Sequence, residues 1–174
     1  DEMKNASQVK AIHGEGNMTS GDGHIVPDFE KALKVGLRGI IDEAREEMNK
    51  VDITEFGGYN KKDFLESIII LNEAIIDFAH RFSKLAGEAA EKETDAKRKE
   101  ELLTIAENCK NVPENSPKTF WESAQMVWFI HLVIQIESNG HSASLGRVDQ
   151  YLYEYYKKDV LEDKNISREF AKEL

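Results

Sequence analysis

Cysteine is nearly absent from this sequence: Cys109 is the single one among 174 residues. No disulfide can close within the chain, which removes the small cross-linked secreted scaffolds and makes a reducing compartment the simpler setting. Basic charge is in deficit, with 23 Lys and Arg against 33 Asp and Glu and a formal net charge of -10. Such a surface keeps a chain soluble and argues against nucleic acid, whose phosphates want cations; no compact basic patch offsets it. Long apolar runs are missing as well. The longest unbroken one is Met126 to Ile130, ended by His131, and Glu122, Gln125 and Gln135 interrupt the wider stretch, so no membrane-spanning helix is expected. The N-terminal DEMKNASQVK is polar and has no apolar core of a leader, so a cytoplasmic location is the expectation. Strand alternation, internal repeats and low-complexity tracts are also wanting.

What remains is a helical sequence with 40% hydrophobic residues, enough for a core of one domain or a large piece of one. Residues 1–27 are a glycine-rich lead-in in which Gly21-Asp22-Gly23-His24 is the most specific part; it lacks the preceding strand and the Lys-Ser or Lys-Thr of a phosphate loop. Residues 28–174 read as helices. Asp28 caps a helix from Phe29 to about Asn49, in which Gly36 and Gly39 point to close approach of a neighbouring helix. A linker, Gly57 to Asn60, leads into a helix from Lys61 to Lys92, with Asn60 as cap. Its middle is apolar on more than one face, the mark of burial on several sides. A charged helix follows from Asp95 to Lys110, with Leu102, Leu103, Ile105, Ala106 and Cys109 inward. Ser116-Pro117 predicts the start of the most apolar helix, which runs to about Ser138. One more helix covers Arg147 to Asp159, and a last begins near Ser167 with Asn165 or Ser167 as cap. The best extended candidates are His24-Ile25-Val26 and His141 to Ser144.

Several side chains carry potential chemistry. His131, within the apolar helix, reads best as a core histidine bonded to a neighbour's backbone. Asp77 and His80 share a helix face at the spacing used by carboxylate-bundle metal sites, but those need a second copy and two further Glu, so a solvated or ion-paired face is the better reading. Cys109 on an amphipathic helix reads as a small buried thiol rather than a nucleophile. His141-Ser142, after Gly140 in the 139–145 loop, is the strongest candidate. An imidazole beside a hydroxyl can hold a substrate hydroxyl or move its proton, while a helix C-cap explains the same residues; the local pattern leaves both open. Arg147 and Asp149 read as structural, a charge-assisted pair or helix cap.

Taken together, these segments resemble a known family. SNGHSASLGRVDQYLYEYYKKD is similar to the Ser-Asn-Gly-His-Ser…Gly-Arg-x-Asp-Gln-Tyr-Leu-Tyr-Pro-Tyr-Tyr segment of the glycyl radical enzymes, the pyruvate formate-lyase-like lyases and dehydratases. TFWESAQMVWFIHLVIQIE resembles the helix before it, and GDGHIVPDFEKALKVGLRGIIDEA and DAKRKEELLTIAENCKNVP resemble earlier segments in the same order. The nearest pattern within the family is that of the B12-independent glycerol or propane-1,2-diol dehydratases. Glu154 stands where the family usually has Pro.

The resemblance implies a mainly α segment, 1–174, of a partial pyruvate formate-lyase-like domain that wraps a ten-stranded α/β barrel in the full-length enzyme. It assigns substrate hydroxyl contacts to His24, His141 and Ser142, and no metal. The family's Gly-Cys-Val-Glu and Arg-Val-x-Gly-Tyr loops do not occur in the sequence. The implied glycyl radical, installed by a radical S-adenosylmethionine activase, therefore belongs to further polypeptide, and no cofactor binds this segment directly. A start at Asp1 and an unfinished helical pattern at Leu174 suggest a piece of a longer chain, inactive alone. Its implied partners are the remainder of the polypeptide, the activase and a small-molecule substrate, with a homodimer when full length. The competing expectation is a catalytically silent helical scaffold or binding module.

Overall fold

The computed structural model describes residues 4–5, 8–9, 24–138 and 142–174. Its order is α1 (Phe29–Met48), α2 (Gly58–Lys92), α3 (Ala96–Asn111), α4 (Phe120–Ser138), two short turns α5 (Val148–Tyr151) and α6 (Tyr153–Tyr156), a π-helical turn (Lys157–Glu162) and α7 (Arg168–Glu173). The described residues are mainly α and contain no strand; their one β feature is a parallel bridge between Ile25 and Ala143.

The caps follow the side chains available. Asp28 accepts from the Lys31 amide, Asp95 from Arg98 and Ser167 from Phe170, each relieving one of the unpaired N–H groups at a helix start. Asn165, the other candidate for the last cap, instead donates to Asp159. Asn60 does not cap α2, which starts at Gly58 after Gly57 at φ 83. The reason is a tight turn before it: Asp52 accepts from both the amide and the hydroxyl of Thr54, and the buried Gly58 lies against the Asp52–Ile53 backbone with no room for a side chain.

Nor does α4 start at Ser116-Pro117. The Ser116 hydroxyl donates to the Lys34 carbonyl, which leaves the cap to Thr119: its hydroxyl accepts from the Glu122 amide and its carbonyl from Ser123. Glu122 reaches back to the Lys118 amide at 2.5 Å, a variant of the Thr-x-x-Glu capping box. The single helix expected over Arg147 to Asp159 is broken at Leu152 and passes into the π turn.

Three apolar clusters hold the layers together. Leu37, Ile41 and Ala44 of α1 pack on Leu65, Ile69, Ile75 and Ile76 of α2. Phe29, Ala32 and Leu33 meet Val112, Met126, Val127 of α4 and Leu152. Ala79, Cys109 and Phe129 join α2, α3 and α4. The expectation that α2 is covered on several sides is not met: Phe64, Ile70, Leu71, Phe82 and Leu85 are exposed, because the described helices reach only one of its faces. Leu103 also faces outward.

Gly36 explains the shape of α1. It sits at φ 69 inside the helix, and a Cβ there would lie 2.5 Å from the Glu114 carbonyl oxygen. The helix ladder lapses at this point, and the amides of Leu37 and Arg38 donate instead to the carbonyls of Pro113 and Glu114. The close neighbour is thus the 112–116 loop, not a helix. Gly39 has a different surrounding: a Cβ there would meet Val35 of its own helix.

Candidate functional site

The candidate site lies where the two extended segments meet. The amide of Ile25 donates to the Ser142 carbonyl at 3.3 Å, and the Ser144 amide donates to the Ile25 carbonyl at 2.9 Å. His24 and Ser142 are therefore next to paired residues, although 118 positions separate them (142 − 24). His24 is exposed and Ser142 half-buried. His141 lies outside the described residues.

Ser142 holds φ 54, the left-handed region that costs a non-glycine residue about 1–2 kcal/mol and persists only where neighbours fix it. Several do. Gly146, at φ 65, turns the chain so close to the first segment that a Cβ would come 2.7 Å from Val26 Cγ1. Its amide donates to the Ser144 hydroxyl. Arg147 forks onto Asp149, Nε to Oδ1 at 2.8 Å and an Nη to Oδ2 at 2.6 Å, an exposed bidentate pair that raises the guanidinium's pKa and lowers the carboxyl's through the shared hydrogen bonds. The Tyr151 hydroxyl donates to the Leu145 carbonyl at 2.8 Å, and its ring stacks on Phe29 at 5.5 Å.

The loop is also closed at its base. Asp159, buried in the π turn, accepts from the Phe120 amide at 2.6 Å and from the Asn165 side chain at 3.2 Å. It thereby places a carboxylate at the N-terminus of α4, where the helix dipole favours negative charge. The Asp159 carboxylate thus ties the π turn to the start of α4. Neither Tyr151 nor Asp159 was legible as a site neighbour. One reads as part of an apolar helix face and the other as a helix charge.

The other candidates stand apart. Cys109 is buried beside Ala79 and Phe129, and burial pushes its thiol up to about 11, a poor nucleophile at neutral pH. His80 pairs with Glu114 at 3.1 Å, and the same carboxylate takes Arg38 at 2.6 Å. His131 does not bond a backbone group as expected. Its Nε2 faces the Gln135 amide nitrogen at 3.4 Å, and its buried Nδ1 has no partner. Among the described residues no group of three or more His, Cys, Asp or Glu could hold a metal ion, and no helix is long and apolar enough to cross a membrane.

The family pattern described as pyruvate formate lyase-like matches residues 1–174. This chain belongs to that family of glycyl radical enzymes. Among its relatives is the "Probable dehydratase YbiW" of Escherichia coli K12, 42% identical over all of this chain and 22% of the relative. The isethionate sulfite-lyase of Nitratidesulfovibrio vulgaris Hildenborough is 45% identical over 86% of this chain and 18% of its own length. A solved structure concerned with 1,2-propanediol dehydration in Roseburia inulinivorans superposes with a TM-score of 0.85 at 49% identity, covering 88% of this chain and 19% of that one. The chain thus spans about a fifth of the length of the family members it matches.

Proposed function

We propose that this chain is the substrate-side and scaffold portion of a glycyl radical lyase. The complete enzyme removes water from a small diol such as glycerol or propane-1,2-diol, or makes a related C–C or C–X cleavage. The observation that carries the reading is the Ile25–Ala143 bridge. It joins the two segments whose His24, His141 and Ser142 are the candidates for holding substrate hydroxyls. Loss of water from a diol needs a proton donor to the departing hydroxyl and an acceptor for the one that stays. Imidazole and hydroxyl groups serve either way, and both hydrogen bonds gain strength where bulk water is excluded. Arg147 and Asp149 shape the turn that carries Ser142 into the second segment.

In such an enzyme a glycyl radical supplies the hydrogen-atom abstraction that opens the reaction. The residues of this chain do not fit that part: its one cysteine is the buried, high-pKa Cys109 of the scaffold. That chemistry is therefore assigned to the remainder of the polypeptide, with a radical S-adenosylmethionine activase as partner. The cytoplasm is the compartment proposed for it, and 1–174 counts as one partial domain of a larger, homodimeric enzyme. The 45% identity to an isethionate sulfite-lyase, beside 49% to the 1,2-propanediol dehydration structure, supports C–S cleavage as the second reading.

The test uses the longest native polypeptide that carries this chain, incubated without oxygen with activase and adenosylmethionine. A glycine-centred EPR doublet is expected, with turnover of glycerol or propane-1,2-diol, or sulfite release from isethionate under the second reading. His141→Ala and Ser142→Ala should each lower turnover about a hundredfold. Unchanged turnover in both would remove the site assignment.

A further inference from the structure

We infer that Tyr151 is the positioning residue that holds the two substrate-side segments in register. Its ring is seated on Phe29, at the end of the His24 segment, and its hydroxyl grips the Leu145 carbonyl, at the end of the Ser142 segment. The inference rests on the function proposed above, since it gives that site its geometry.

The bridge cannot do this alone. It consists of the hydrogen bonds at 3.3 and 2.9 Å on either side of Ile25, and an isolated pair of extended segments is marginal in water. It must also hold Ser142 at φ 54, a conformation that survives only under outside constraint. Tyr151 supplies a constraint of the right kind. Its backbone is fixed first, because its amide donates to the Arg147 carbonyl. From there the side chain reaches back to Leu145 and closes the Gly146 turn, with few torsions free to relax. Its ring contact is with a buried partner: Phe29 is 2% exposed and belongs to the core cluster with Met126 and Leu152. The register of the Ser142 segment is thereby referred to the core. Burial raises the Tyr151 pKa, so the hydroxyl remains a donor throughout the neutral range. Tyr155 makes a comparable bond to the Leu33 carbonyl, at 3.4 Å, but that one ties α6 to α1 and leaves the site segments untouched.

The conservative variant Tyr151→Phe keeps the ring on Phe29 and removes only the hydroxyl. In the longest native polypeptide, amide exchange at Ser144, whose N–H bonds the Ile25 carbonyl, should speed up about three- to tenfold, the worth of one net hydrogen bond. Exchange in the α2 core should stay as it was. The KM for propane-1,2-diol should rise by a similar factor with a smaller change in kcat, and Tyr155→Phe should move neither Ser144 nor KM. Unaltered Ser144 exchange in Tyr151→Phe overturns the inference whatever the kinetics. So does faster exchange with an unchanged KM in an enzyme that His141→Ala and Ser142→Ala both disable. Silence of those two variants fails the proposed function instead, and the exchange measurement still decides whether Tyr151 holds the register.

Discussion

The helical block α1–α3 and the excursion over 142–166 are built on different principles. In the block, position comes from area. Leu37, Ile41, Leu65, Ile69, Ile75 and Ile76 share one apolar cluster, and no single polar contact decides where a helix lies. In the excursion only Leu152 and Val160 are buried apolar residues, and position comes largely from individual hydrogen bonds: Asp159 to the Phe120 amide at the base, and the Ile25 bridge with the Tyr151–Leu145 bond at the tip. The first kind of construction tolerates exposed charges and surface changes. The second lets a segment hold a strained residue such as Ser142, and makes its geometry depend on a few atoms. A substrate site gains from that second kind, because it needs groups at fixed distances more than it needs stability.

Substitutions can break this contrast, and the largest effect is expected in the block. Ile41 is fully buried; Ile41→Ala should cost about 3–4 kcal/mol, counting transfer and cavity together, read as a shift in the urea midpoint. Gly36→Ala comes next, at about 2–4 kcal/mol. It meets the Glu114 carbonyl oxygen at 2.5 Å and a φ of 69 that alanine resists. Asp159→Ala should cost about 2–3 kcal/mol, because it removes the acceptor for the Phe120 amide. If it costs more than Ile41→Ala, the excursion is the stronger half and the contrast drawn here is wrong.

Cys109 offers a pH test of the block. Its thiol is pushed from an ordinary 9.0 up to about 11 by burial, so above pH 9 the unfolded chain releases the proton while the folded chain keeps it. Stability should be flat with respect to this group below pH 9 and fall as pH rises from 9 to 11. Comparison of Cys109→Ala with the parent chain across that range should show the slope disappear. Smallest of all is Asp149→Asn. The Arg147–Asp149 pair is well exposed, at 68% and 65%, and its loss should leave the thermal unfolding midpoint essentially unchanged. A clear shift would move Arg147 and Asp149 out of a merely local role.

Much of the block could be read before any coordinates. The cap Asp28 of α1, like Ser167 farther along, acts through a side chain bonded to an amide three positions away, so the information is local. Ser116-Pro117 points to the start of α4, which lies instead at Thr119, whose hydroxyl accepts from the Glu122 amide. That signal misleads because the Ser116 hydroxyl is engaged by the Lys34 carbonyl, a contact across 82 residues. The apolar wrap of α2 promised burial on several sides, but apolarity states what a surface would accept and not what is present to cover it. At the site, both extended segments were visible separately; nothing in either shows that Ile25 would pair with Ala143.

What the order of residues determined by itself was therefore what is set within a helical turn or two: the helices, several of their ends and the buried thiol. Tertiary structure alone decided the kink at Gly36, the Asp159 closure and the pairing of Ile25 with Ala143. Each of these joins atoms far apart in the chain, and a hydrogen bond or a steric contact of that kind comes into being only when packing elsewhere has already delivered both partners.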